Sequence, residues 1–381
     1  MKPLIKYTGG KYKEYKDFRE YMPDKINNYY EPFLGGGGVM FRLLEECKIK
    51  NNIYASDTSE DLIEFYNYVT TSGFEEEITK ILYAWEDIHK ISDKFCENYS
   101  KLFFEIIQSD RPIEDFINDE TKKFLKQELN NSTAINNIDY HGFSLYDRIY
   151  DSLYDKVKKF IKKNINREDK EVSCKSLQTA VHQGFYFTIR DMYNDWLTND
   201  KSKYMPYERT AQWFYIREFC FGGMFRFGRD GKFNIPYGGA VYNNKNFKTK
   251  VKTATSEQTK DIFKKIKFFT SDFESVLNTN FEKDDFIFLD PPYDSTFSEY
   301  DNNSFTREDH KRLRDILKQV NCKWLMVIGK TEFIDELYKD FNKIEYDKTY
   351  MYQARGDYEN KHTIHLIIKN FGNYIVFDPA Y

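Results

Sequence analysis

Residues 286–293 read FIFLDPPY. Four apolar residues lead into one acid, two prolines and a tyrosine. A short apolar run closed by a Pro-Pro break fits a strand buried on both faces, the form taken by strands of parallel sheets. In an open parallel sheet, ligands sit beyond the carboxyl ends of the strands. Asp290 is therefore expected at a ligand edge. Pro291 and Pro292 end the ladder and fix the backbone, leaving carbonyls that no proline N–H can satisfy. Tyr293 then supplies a flat face. An acid, an aimed carbonyl and an aromatic plate suit a planar amine. The two oxygens accept its N–H bonds, the ring stacks, and a nitrogen held pyramidal recovers a localised lone pair. The plain alternative is a strand that merely stops in a Pro-Pro turn.

Working outward, YEPFLGGGGVMF (30–41) places four glycines between a strand and a helix. Glycine lets backbone amides approach a ligand closely, and a helix start adds a favourable dipole. Asp57 ends the next strand, NIYASD, about 20 residues after Gly37, the position from which a carboxylate binds ribose hydroxyls in nucleotide-binding α/β folds. The spacing is not G-x-G-x-x-G, so a phosphate-free nucleoside is equally compatible, and a tight turn of this kind also occurs in any α/β protein.

Three zones follow. Residues 1–72 are α/β, with strands in NNYYEPF and NIYASD and helices in VMFRLLEEC and SEDLIEFYNYV, the latter with Leu62, Phe65, Tyr66 and Val69 on one face. Residues 73–265 are charged and at first long-helical, without strand–helix alternation. Alternation returns over 266–381, in KKIKFFTSDF, FIFLDPPY, KWLMVIG and IHLIIKNF. The pattern predicts an α/β domain interrupted by a large insertion.

The totals bound the function. The 381 residues are 40% hydrophobic and 31% charged, a globular composition, and the net charge of −4 leaves nucleic-acid binding to local basic patches. Two such clusters exist: Lys2, Lys6, Lys11, Lys13, Lys16, Arg19 and Lys25, and the stretch KNFKTKVKTATSEQTKDIFKKIK (245–267). No apolar run approaches the ~18 residues of a membrane span, and the N-terminus lacks the apolar segment of a secretory signal. The five cysteines, Cys47, Cys96, Cys174, Cys220 and Cys322, form no C-x-x-C pair. They read as thiols of a reduced, intracellular protein and not as zinc ligands. His362 and His365 in HTIH fall on a strand pattern, where a three-residue offset points them to opposite faces, which argues against a metal site. The terminal FDPAY (377–381) echoes DPPY but has no following loop or helix and is read as coincidence.

With these motifs assembled, the chain resembles the Dam-type (D12 class) DNA adenine-N6 methyltransferases. LIKYTGGKYK (4–13) is similar to the family's N-terminal motif, EPFLGGGGVMF to its cofactor loop, and FFTSDF to the motif whose acid binds the cofactor's adenine. WFYIREFCFGGMFRFGRDGKFNIPYGG is similar to its DNA-reading hairpin region, and SEYDNNSFT and IHLIIKNF also fit. The resemblance implies a Rossmann-like S-adenosylmethionine-dependent methyltransferase fold with a mainly helical inserted target-recognition domain carrying a β-hairpin. It implies S-adenosylmethionine as cofactor, double-stranded DNA as partner, a flipped adenine as acceptor, no metal, and action as a monomer.

Residue by residue, Asp290, Pro291, Pro292 and Tyr293 take the catalytic positions. Tyr7, Lys11, Glu31, Phe33, Gly35, Gly37, Asp57, Asp272, Phe273 and Asp290 take cofactor positions. Lys6, Met224, Arg226 and Pro236 stand where members recognising GATC read bases. The chain departs from the family at Gly222 and Gly228, where asparagine is usual, and at His365, where a glutamate often stands. Rival readings on the same fold are cytosine-N4, RNA-adenine or protein-glutamine methylation, the last opposed by Asp290 in place of asparagine. A degenerate DNA-binding module is opposed by the intact Lys11, Asp57, Asp272 and Asp290.

Overall fold

The structure is a computed structural model. It describes residues 1–372 except 8, 47, 110, 164–169, 200–203, 295–304, 355 and 356, and it describes no side chains at 161–163, 170–173, 349–354 and 357–362. FDPAY, all of SEYDNNSFT but its last two residues, and the side chain of His362 lie outside the described part.

The chain divides into two units. The first comprises Met1–Pro3, Gly9–Ile63 and Asp261–Tyr381, the second Leu4–Thr8 and Glu64–Lys260. In the first unit seven strands form one sheet: β1 (Tyr29–Glu31), β2 (Ile53–Asp57), β3 (Ile266–Thr270), β4 (Phe286–Leu289), β5 (Lys323–Gly329), β6 (Asn342–Ala354) and β7 (Asp357–Lys369). Their order is β3-β2-β1-β4-β5-β7-β6. The first five run parallel, and β7 lies antiparallel between β5 and β6. The strand order departs in opposite directions from the β1–β4 pair, so the switch point falls where Glu31 ends β1 and Asp290 follows β4.

All four residues of β4 are buried, as a strand covered on both faces requires. On one face Ile287 and Leu289 join Trp324, Met326, Ile328, Leu366 and Ile368 in a core closed by Leu313 and Leu317 of the helix Arg307–Leu317. On the other face Phe288 stacks on Phe18 at 5.6 Å. β6 is a strand that hydrophobic runs did not reveal, because NKIEYDKTYMYQA places charged side chains between its apolar ones. Its 13-residue pairing with β7 also extends β7 well before IHLIIKNF.

The second unit is helical. Its longest helix, Ser72–Gln108, starts at Thr71, whose side chain accepts from the Phe74 N–H, and buries a stripe that includes Phe74, Ile78, Ile81, Trp85, Ile88 and Phe95. Gly184 in the helix Lys170–Thr198 admits a close neighbour: a Cβ there would meet the Ile149 Cα at 2.5 Å. The expectation of unpaired thiols is corrected here. Cys96 and Cys174 are disulfide-bonded, with Cα atoms 5.2 Å apart, because the helices that carry them pack side by side. Their 78-residue separation in sequence gives no hint of that proximity. Cys220 and Cys322 are buried free thiols.

The expected hairpin is present in reduced form. Two isolated antiparallel bridges, Cys220–Tyr237 and Phe227–Phe233, flank a turn in which the Gly228 N–H donates to the Lys232 carbonyl at 2.7 Å. Among the described residues no helix is long and apolar enough to cross a membrane.

Candidate active site

The glycine turn follows β1 directly. Gly35 and Gly37 take φ values of 47° and 64°, in the left-handed region that glycine tolerates. Gly37 is the N-cap of the helix Gly38–Glu45. Gly38 is needed for closeness: a Cβ there would lie 2.6 Å from the Tyr12 backbone nitrogen. Asp57, at the end of β2, accepts from the Gly35 N–H at 2.9 Å and the Ser59 N–H at 3.0 Å, which fixes the turn against the strand. The Ser271 N–H donates to the Asp57 carbonyl at 3.1 Å, joining the ends of β2 and β3.

Asp272 caps the helix Phe273–Leu277 by accepting from the Glu274 N–H. Its carboxylate is also paired with Arg312 at 3.2 Å. The Arg312 guanidinium lies 4.5 Å from the centre of the Phe273 ring, and Phe33 stacks on Phe273 at 5.5 Å. Glu31 is buried, and its Oε2 accepts from the Tyr29 hydroxyl at 2.7 Å. Burial pushes the Glu31 carboxyl up to about 8, with the Tyr29 hydrogen bond opposing and the nearby Asp290 and Asp57 adding to the rise.

Beyond β4, Lys11 Nζ pairs with Asp290 Oδ1 at 2.9 Å and donates to the Gly9 carbonyl at 2.8 Å. Lys11 is 3% exposed and Asp290 20% exposed, so the acid keeps the open side. Burial raises the Asp290 carboxyl to about 6, and Lys11 works against that rise. Pro291 is buried and Pro292 exposed. Tyr293 is half-buried, with Lys11 Nζ 5.1 Å from its ring centre. Asp294 closes the motif by pairing with Arg307 at 3.0 Å and accepting from the Thr331 hydroxyl at 2.9 Å.

The first unit thus carries Glu31, Phe33, Gly35, Gly37, Asp57, Asp272, Phe273 and the DPPY residues on or just beyond the strands β1, β2, β3 and β4, with Lys11 on the turn before the helix Tyr15–Phe18. Tyr7 belongs to the second unit, where the buried Arg217 lies 5.2 Å from its ring centre. Arg217 also donates to the Lys6 carbonyl at 3.3 Å and lies 4.8 Å from the Phe225 ring centre, so it ties residues 6–7 to the hairpin. Around it Lys6, Met224, Arg226 and Pro236 are exposed. Gly222 has a φ of 67°, a conformation open to glycine and, at some cost, to asparagine.

Sequence reasoning missed Glu14, Gly329, Tyr346, Lys348 and Arg312. One signal was available for Glu14. Lys11, Glu14 and Phe18 follow helical spacing, and all three turn toward the same sheet face. The basic stretch 245–267 is partly engaged internally: Lys245 and Lys250 both pair with Glu218, and Lys248 with Glu86. Among the described residues no group of three or more His, Cys, Asp or Glu is placed to hold a metal ion.

Comparison with known proteins agrees with this geometry. The family model of the D12 class N6 adenine-specific DNA methyltransferases matches residues 7–176 and 135–352. The Type II methyltransferase M.CviBI of Paramecium bursaria Chlorella virus NC1A is 26% identical over 375 residues, covering 97% of this chain and 100% of its own. The Type II methyltransferase M.MjaIII of Methanocaldococcus jannaschii is 22% identical, covering 97% and 99%. The retron Ec67 DNA adenine methylase of Escherichia coli is 27% identical over 43% of this chain and 54% of its own. With a parallel sheet that switches between β1 and β4, a glycine turn on one side and DPPY on the other, the chain belongs to the D12 class of N6 adenine-specific DNA methyltransferases.

Proposed function

We propose that this protein transfers a methyl group from S-adenosylmethionine to N6 of an adenine turned out of duplex DNA, within a GATC-like site. The observation that carries this reading is Asp290 at the carboxyl end of β4, with one oxygen engaged by Lys11 and the Tyr293 ring beside it.

The residues of the first unit fit the cofactor chemically. Asp57 ends β2 and Asp272 lies two residues beyond the adjacent β3, and both can accept from ribose hydroxyls and an adenine amine, while the Phe33–Phe273 pair offers aromatic faces. Glu31, held neutral at pH 7 by burial, can donate as well as accept. When bound, S-adenosylmethionine would supply an electrophilic methyl group, its methyl–sulfur bond breaking to leave the neutral thioether S-adenosylhomocysteine.

The chain's own part is to receive and orient the base. Turning an adenine out costs a few kcal/mol, and stacking on Tyr293 offsets part of this. Lys11 holds Asp290 Oδ1, so Oδ2 and the Pro291 carbonyl are the acceptors for the two N6 protons. As the C–N bond forms, N6 sheds one proton toward the Asp290 side, which opens to solvent. Proximity and orientation supply most of the acceleration. The exposed Lys6, Met224, Arg226 and Pro236 of the second unit are the base-reading set under this reading.

The test is a methylation assay with labelled S-adenosylmethionine on duplex DNA and on RNA, followed by nucleoside analysis. N6-methyladenine in DNA is expected. Label found only in N4-methylcytosine or in RNA would overturn the proposal.

A further inference from the structure

Tyr293 does not stand alone over the end of the sheet. Gly329, the last residue of β5, is the direct cross-strand partner of His365 on β7, and His365 is in turn the partner of Tyr346 on β6. The three form one transverse row. A Cβ added to Gly329 would meet Tyr293 Cδ2 at 3.0 Å, so the tyrosine ring rests against the β5 backbone. The His365 ring meets the Tyr293 ring at 5.3 Å with an interplanar angle of 84°, an edge-to-face contact.

His365 is itself held. Its Nδ1 lies 3.2 Å from the Tyr346 hydroxyl and 3.7 Å from Glu14 Oε2. Glu14 is buried, pairs with Lys348 at 2.8 Å, and lies 3.4 Å from the Tyr346 hydroxyl. Burial lowers the imidazole to about 4, so it stays a neutral ring at physiological pH. His365 is 1% exposed, so its ring is shielded from solvent.

We propose that His365 and Gly329 form the seat that sets the plane of Tyr293, and that His365 is thereby a positioning residue for the acceptor base. The inference rests on the adenine-N6 reading above. A stacking ring that can tilt leaves the amine misaligned without weakening DNA binding, because the residues proposed to hold DNA are other ones. Edge-to-face packing against a neutral ring, not proton transfer, is what His365 contributes. The hydrogen bond with Tyr346 and the pull of Glu14 hold its ring in place. A side chain at 329 would crowd the Tyr293 ring, which would have to give by a few tenths of an ångström.

The experiment uses the full chain and the duplex site mapped by base-resolution sequencing of wild-type product, with 2-aminopurine at the target adenine for fluorescence. His365→Ala is expected to lower the single-turnover rate about 10- to 100-fold, the scale of a misplacement near 1 Å, and Gly329→Ala to lower it by less, since the ring shifts only a few tenths of an ångström. The KM for DNA should change less than about 2-fold, well under the tenfold that ~1.4 kcal/mol would produce. Target fluorescence should rise above the wild-type level, because the extruded base is no longer stacked. His365→Phe, which keeps a ring edge but loses both polar contacts, should recover most of the rate. Circular dichroism and cofactor calorimetry identify a variant that has simply unfolded, and Gly329→Ala then carries the test alone. A wild-type rate in folded His365→Ala or Gly329→Ala overturns the seat, as does a His365→Phe variant as slow as His365→Ala. A wild-type protein that neither methylates adenine nor brightens the probe overturns the adenine reading and the seat with it.

Discussion

Asp290 is subject to two opposing influences, burial that favours its neutral form and a Lys11 ammonium at 2.9 Å that favours its anion. The balance near 6 makes its charge depend on pH in the range where the enzyme can be assayed. Only the anion can accept an amine proton fully, so kcat/KM should rise as pH increases through about 6 and then level off. A profile that stays flat down to pH 5 would remove Asp290 from the reaction. Asp290→Ala should cut turnover by about 100-fold or more while calorimetry shows S-adenosylmethionine still binding. Glu31 has the same direction of shift with a different consequence. Its folded pKa of about 8 stands above the ordinary carboxyl value of 4.5. The folded state therefore holds that proton more tightly, and stability falls as pH rises from 4.5 through 8. Glu31→Gln should flatten this loss, so its Tm should fall less than that of wild type between pH 6.5 and 8.5; equal slopes would refute the assignment. DPPY was legible in the sequence because each residue type has one chemical use there. The Glu14–His365 contact was not, because 351 residues separate groups whose meeting depends on how β7 pairs.

The glycine turn illustrates the same point one level up. Strand, turn and helix were readable from YEPFLGGGGVMF, but the requirement at Gly38 comes from the Lys11–Tyr12 backbone passing within 2.6 Å of where a Cβ would be. Gly38→Ala must displace that segment or the helix, and overpacking of this kind costs about 1–3 kcal/mol. It should lower Tm and also weaken cofactor binding, because Lys11 and the turn shift together; unchanged values of both would show that the segment yields freely. β6 was missed because its alternation carries charge on the open face, whereas β4 and β5 announced themselves as continuous apolar runs. In the hairpin, Phe225 packs on Phe233 at 4.5 Å and is half-buried, while Phe227 remains 39% exposed, so neither flanking ring is fully buried and Phe225 turns further inward. Arg226 between them points outward. Arg226→Ala should lose about 1–3 kcal/mol of discrimination at one guanine, read as relaxed rates over single-base variants of the preferred site. Uniform slowing across that panel would make Arg226 a backbone contact.

For the whole molecule, net charge gives the wrong intuition about DNA. At −4 the chain is acidic, yet counterion release depends on the few cations that face phosphate. DNA affinity should therefore fall steeply between about 50 and 200 mM salt. Lys248→Ala should reduce the salt slope by about 1 only if DNA displaces Glu86 from that lysine; an unchanged slope would leave the pair as internal structure. Composition showed none of this pairing, since lysines that look like a DNA-binding run share it with acids distant in sequence. The sheet order carries a consequence for how the protein is made. Tyr30 on β1 and Asp285 beside β4 meet across 255 residues. At a synthesis rate of about 5–20 residues per second, β1 waits roughly 13–50 s for its central neighbour. β7, which fills the gap between β5 and β6 and carries His365, emerges later still. A nascent chain therefore leaves the β4-facing edge of β1 unpaired while the helical unit emerges from the ribosome, and the seat proposed for Tyr293 is incomplete until residue 365 has been added. Ribosomes that stall or drop off anywhere in the first nine-tenths of the message should release fragments with no methylating activity.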